Sequence, residues 1–224
     1  MTARTFYVSG MVFLFCALVL SFLASISLPY LPALDYVRVN FGKGLFTGAN
    51  VMSELRFGIW GPCVYDGNGH RTCVHTGHGY SVPIENIERT DQIVIGASWT
   101  RGLAIHPVAT GIIAIAFGFA VSRHEHSPLI ASLMSFFAAL MLLIAFAIDI
   151  ALYAFVHHEI GKLSNVRGNV NAGSAFWMTF VSLILVLLAG CTVCFGRRKE
   201  SGGGGAYPMM TKTSGGFMSR FRRN

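Results

Sequence analysis

Residues 6–28 carry no charge and are almost wholly apolar. A helix rises 1.5 Å per residue, so about 20 such residues cross the ~30 Å hydrocarbon core of a bilayer. Three further stretches are of comparable length, at 103–121, 129–156 and 174–195. No other feature constrains the chain as much. Lipid offers no hydrogen-bond partner to the backbone, so each stretch has to be a helix that satisfies its own amides. A composition of 53% hydrophobic and 12% charged residues, with mean hydropathy +0.56, likewise excludes an ordinary soluble surface. The first stretch invites comparison with a cleaved signal peptide, with Arg4 as its basic start and Ser25-Ile26-Ser27 as a small-x-small exit. Its apolar core exceeds the ~7–15 residues of such signals, so it reads as the first span.

Glycine and alanine fill the second span, which lets neighbouring helices approach closely. The third is longer than one perpendicular crossing requires and is expected to tilt or project outward. The expected fold is a membrane all-α four-helix bundle over residues 1–196, with a small disulfide-stapled extracellular β-sheet as a cap over 29–102. Residues 197–224 read as a disordered basic cytoplasmic tail, since Ser201-Gly202-Gly203-Gly204-Gly205 opens a segment with too little apolar content to fold alone.

Orientation follows from the basic residues of the short connections. With both termini cytoplasmic, the N-tail holds Arg4 and the link between spans two and three holds Arg123. The C-tail then holds Arg197, Arg198, Lys199, Lys212, Arg220, Arg222 and Arg223, against Lys162 and Arg167 in the opposite short loop. The long cap is neutral overall. The net charge of +7 therefore sits where an anionic inner leaflet would meet it, and it does not describe a nucleic-acid surface. Arg197, Arg198, Lys199, Arg220, Arg222 and Arg223 are the candidate lipid contacts, with a merely solvated tail as the alternative.

Within the cap, Phe57-Gly58-Ile59-Trp60-Gly61-Pro62-Cys63 precedes Cys73 across the turn-forming Asp66-Gly67-Asn68-Gly69. Asp-Gly and Asn-Gly tolerate positive φ, and the flanking segments can pair as strands, which sets Cys63 opposite Cys73 in a stapled hairpin. Such a bond survives only in an oxidising compartment. Tyr36–Val39 and Leu55–Trp60 have the β-branched and aromatic content of two more strands. Trp60, set between glycines, is expected to anchor the cap with Gly58, its indole finding an acceptor at the outer helix ends; an exposed, partner-binding aromatic is the alternative.

These features, in this order, resemble the fungal pali-domain tetraspan family, which includes PalI-like ambient-pH-response proteins and tetraspans of plasma-membrane furrow domains. The matching residues are Leu23–Pro29, the Phe57–Cys63 segment with Cys73, Gly77-His78-Gly79-Tyr80, Leu103-Ala104-Ile105-His106-Pro107 and Ala147-Ile148-Asp149-Ile150-Ala151. The Gly58-Ile59-Trp60 and Cys63–Cys73 portion is also similar to the motif of claudin-like tetraspans, with isoleucine where those usually have leucine. The resemblance implies a plasma-membrane protein that assists a pH-sensing receptor or organises membrane domains and the cell wall. Membrane lipids and other membrane proteins are its expected partners.

Few residues suggest chemistry. Asp149 is the one acidic residue inside a span, and a carboxylate there has to face the bundle. It reads as a polar clasp to Thr110, Trp177 or Thr179, or else as the ion or proton site of a transporter or channel subunit. His70, His75 and His78 lie in the cap, where a side chain with an ordinary pKa near 6.5 suits a response to external pH; surface histidines without a role are the plainer reading. Cys191 and Cys194, beside Arg197-Arg198-Lys199, are candidate S-acylation sites or helix-packing residues. No zinc signature, phosphate loop or nucleophile elbow occurs, so no cofactor and no enzymatic activity are expected.

Overall fold

The computed structural model describes residues 3–47, 50–85, 90–122, 127–163 and 168–203. Helix α1 (Ala3–Tyr30) leads into strands β1 (Val37–Thr47), β2 (Asn50–Phe57), β3 (Pro62–Tyr65), β4 (Arg71–Cys73), β5 (Val82–Glu85) and β6 (Gln92–Ile95). Then follow the short α2 (Ala97–Arg101), a 3-10 turn at Gly102–Ala104, α3 (Ile105–Val121), α4 (Ser127–Ile160), β7 (Gly168–Ala172) and α5 (Ser174–Gly203). Among the described residues four segments are long and apolar enough to span a membrane: Val8–Tyr30, Ala97–Val121, Ile130–Ile160 and Ser174–Thr192.

Helix α1 packs on α3 and α5, and α4 packs on the same two, closing a four-helix bundle. Small side chains make the inner seams: Ala17, Ala109, Ala116, Ala138, Ala145 and Ala189 are buried. Large apolar ones such as Phe15, Phe22, Leu133 and Leu143 point outward. This distribution is that of a bundle in lipid, where helices associate by close packing because tails are as apolar as leucine.

The extra length of the third span has a definite use. At 34 residues α4 is about 51 Å long, well beyond the hydrocarbon thickness. Its last turns bury Leu152, Val156 and Ile160 among Val37, Val39 and Val170 of the sheet. One helix thus belongs to both the bundle core and the cap core. The second span begins earlier than residue 103, because α2 and the 3-10 turn continue into α3. Trp99 of α2 stacks on Phe155 of α4, ring centroids 4.2 Å apart, and ties this lead-in down. Helix α5 continues to Gly203, past the boundary expected at 196 and through Gly196. The remaining tail, including Arg220, Arg222 and Arg223, lies outside the described residues, as do the side chains of Cys194, Arg197, Arg198 and Lys199.

The cap is one antiparallel sheet in the order β4-β3-β2-β1-β5-β6, with β7 also paired to β1. β1 is long enough to take two neighbours on one edge. Val37–Phe41 pair with β7, and Phe46 faces Glu85 of β5. The β3–β4 hairpin is closed by Asp66, whose Oδ1 accepts the N–H groups of Asn68 (2.9 Å) and His70 (2.7 Å), with Gly69 at φ +82°. Cys63 and Cys73 stand directly opposite and are disulfide-bonded, as the turn chemistry foretold. Leu55–Trp60 is shorter as a strand than expected. It leaves the sheet after Phe57 because the next three residues dock on α1 instead.

Replacing Cys63 by serine is expected to cost about 2–3 kcal/mol, the chain-entropy value for so short a loop. The Cys63→Ser/Cys73→Ser pair should be no worse than either single variant, and thermal melting of purified protein, with and without reductant, measures both.

Candidate functional site

The hairpin motif meets the bundle at a break in α1. Proline disfavours helical backbone in the residue before it, and Ser27 and Leu28 are accordingly non-helical ahead of Pro29. The break frees polar groups, and the segment Gly58-Ile59-Trp60 takes them. Ile59 N–H donates to Ser27 Oγ (3.1 Å), Trp60 N–H to the Leu28 carbonyl (3.3 Å), and the Trp60 indole N–H to the Ser25 carbonyl (2.8 Å). Tyr80 O–H donates to the Gly58 carbonyl (2.7 Å) from the other side. A β-carbon on residue 58 would stand 2.7 Å from the Leu28 carbonyl oxygen and 2.9 Å from its Cα, both backbone atoms that cannot swing aside. Only glycine permits this approach. Trp60 itself is partly buried, its ring flanking the outer ends of α1 and α3.

A polar cluster lies directly beneath, and every span contributes to it. On α1 and α3 the hydroxyls of Ser21 and Thr110 are 2.6 Å apart and those of Ser25 and Thr110 2.7 Å apart. Thr110 O–H lies within donating distance of the His106 carbonyl, 2.9 Å, one turn back. His106 Nε2 lies 3.0 Å from Asp149 Oδ1 of α4, both side chains buried. Thr179 of α5 is beside Asp149 and the Tyr36 hydroxyl, and the Tyr36 ring lies 4.7 Å from the His106 ring. Asp149 therefore pairs with His106, which the sequence reading did not name, while Thr179, which it did name, stands beside the carboxylate. Thr110 bonds elsewhere, and Trp177 is 56% exposed on the outer face of α5. Among the described residues Asp149 Oδ2 has no hydrogen-bond partner. The missed signal was available: His106 and Asp149 are the one histidine and the one carboxylate inside the four apolar stretches.

The cap above is held electrostatically as well. Asp35 is fully buried and takes two bonds from the Arg38 guanidinium (2.9 and 3.0 Å), which Glu54 also approaches at 3.3 Å. The hydrogen bond to Asp35 raises the Arg38 pKa from its ordinary value, so the charge is permanent. Burial pushes the phenols of Tyr36 and Tyr80 well above their ordinary range, so both act as hydrogen-bond donors.

The remaining candidates take no part in this buried cluster. His70 is exposed at the hairpin turn, while His75 sits edge-on to Tyr30 and His78 edge-on to Trp60. Cys191 is exposed on α5. Among the described residues no three His, Cys, Asp or Glu side chains are arranged to hold a metal ion. Chemically, the arrangement can lock a rigid cap to a bundle and keep a buried, hydrogen-bonded histidine–aspartate couple between two spans.

The model of one protein family, described as the SUR7/PalI family, matches residues 6–189. No curated protein matches the chain.

Proposed function

The chain belongs to the SUR7/PalI family, and from that premise we propose that it is a non-enzymatic organiser or accessory protein of the plasma membrane, acting in ambient-pH signalling or in membrane-domain and cell-wall organisation. It is a multi-pass membrane protein. The observation that supports binding over catalysis is the engagement of its polar groups with one another. Ser21, Ser25, His106, Thr110 and Asp149 bond across the spans, and Gly58-Ile59-Trp60 bonds the cap to α1. The product is a stiff extracellular surface on a stiff bundle. Such an object serves other membrane proteins or lipids by presenting a fixed shape.

Both termini are cytoplasmic in this reading, since the disulfide favours an oxidising exterior for the cap and the basic tail favours the inner leaflet. The sequence holds no Asn-x-Ser/Thr sequon, so engineered ones report topology without background. One at residues 67–69 is expected to be glycosylated in cells and one at residue 204 to remain unmodified; the reverse pattern overturns the orientation.

Imaging a tagged copy in living cells tests the role. Static membrane patches are expected of an organiser, and loss of a receptor from the surface on deletion is expected of an accessory. Uniform distribution with no receptor affected contradicts both. The unpartnered Asp149 Oδ2 is the feature that favours a second reading, a transporter or channel subunit, which the Asp149 variants described in the Discussion separate.

A further inference from the structure

On the outer side of α1 and α3, under the cap, runs a groove of about 560 Å³, inside the ~300–1,000 Å³ range of small-molecule sites. Its walls are Leu18, Phe22 and Ile26 of α1 and Gly111 and Ala114 of α3, all within spanning segments. Phe22 is 54% exposed, and a β-carbon at Gly111 would meet nothing within 4 Å, so the groove is open where the bilayer lies. Hydrocarbon is the only solvent available to fill it. Because lipid tails are as apolar as these walls, filling the groove selects nothing by itself. Selection has to come from its polar end.

That end is basic and aromatic. Tyr30 and Trp60 line the cap side of the groove. Their rings meet His75 (5.7 Å) and His78 (6.5 Å), both exposed. The next residue, Gly79, has the Arg101 side chain against it, with Nε 3.1 Å from where a β-carbon would stand. Arg101 is exposed and has no ion-pair partner among the described residues. Arg101 packs on the residue that follows His78 in the chain, and its guanidinium, with the imidazoles carried on Tyr30 and Trp60, offers donors for phosphate oxygens near this end of the groove.

We propose that the groove seats one acyl chain of an anionic, phosphate-headed lipid from the cap-side leaflet, with its phosphate held by Arg101, His75 and His78. The Arg101 charge complements the headgroup, and the apolar walls complement an acyl chain. This site is independent of the cellular role proposed above.

The test uses the full chain in phosphatidylcholine vesicles containing phosphatidylinositol with a photoreactive group on one acyl chain. Crosslinks are expected to concentrate on the peptides holding Phe22, Ile26 and Ala114, over the exposed Leu133 and Phe136 of α4. Gly111→Leu, which fills the groove from an unobstructed position, should remove them, and Ala114→Phe provides a second block from the same wall. Arg101→Gln should lower the preference for phosphatidylinositol over identically labelled phosphatidylcholine by about tenfold, the loss expected of one charge-assisted hydrogen bond. Labelling spread evenly over the exposed helix faces overturns the site. So does labelling undiminished in both groove-filling variants, a headgroup preference unchanged in Arg101→Gln, or displacement of the lipid from these peptides by a sterol.

Discussion

Asp149→Ala is expected to lower stability by about 3 kcal/mol, the low end of what removing one partner of a buried pair costs, because polar contacts inside membranes contribute less than burial alone suggests. The variant leaves His106 buried without its acceptor, at the centre of contacts that join all four spans. Asp149→Asn keeps an acceptor for the ring and should lose less. Removing both members, as His106→Leu/Asp149→Leu, leaves no orphaned polar group and should recover most of the loss, so the two single effects will be far from additive. Thermal melting and surface abundance measure this cycle. A transport site behaves differently: Asp149→Asn would then melt normally and reach the surface normally while abolishing ion or proton flux in reconstituted vesicles. That result would replace the clasp with the transporter reading.

Trp60→Ala is expected to cost about 3 kcal/mol, the lower bound for removing a tryptophan from a core, since this ring is partly buried. The indole bond to the Ser25 carbonyl goes with it, and Ser25 lies in the same hydroxyl cluster as Thr110. Loosening the cap should therefore lower both the melting temperature and the surface level. A Trp60→Phe variant, which keeps the ring face and loses the N–H, should fall between the two, since a net hydrogen bond contributes about 1 kcal/mol. The opposing expectation is an exposed tryptophan that recruits a partner. Normal abundance and melting, with a co-purified partner lost, would sink the anchoring role.

Local features of the chain were legible without the fold. Asp66 and Gly69 closed the hairpin and set Cys63 opposite Cys73, because turn chemistry acts over four residues. Pro29 marked the end of the first span for the same reason. Gly58 and Trp60 were readable as an anchor to the outer helix ends, although not the particular acceptors, the Ser25 and Leu28 carbonyls. The partner of Asp149 was not read, even though His106 stood in a segment already singled out. Strand β7 is not legible in the sequence, since Gly168-Asn169-Val170-Asn171-Ala172 has no strand-like composition and is held by pairing with β1.

The physical reason is common to these misses. Span length, span number and the stapled turn are set by properties that a short window of sequence carries: continuous apolarity, proline, and residues that tolerate positive φ. The rotation of each helix about its axis is not, because a helix apolar all round shows no stripe to say which face turns inward. Only packing of small residues along the seams fixed that rotation, and with it the meeting of His106 and Asp149 across α3 and α4. Strand partners far apart in the chain, and the depth to which Trp60 reaches α1, were decided in the same way. The sequence determined what crosses the membrane and what is stapled above it, and the tertiary structure decided which polar groups meet inside.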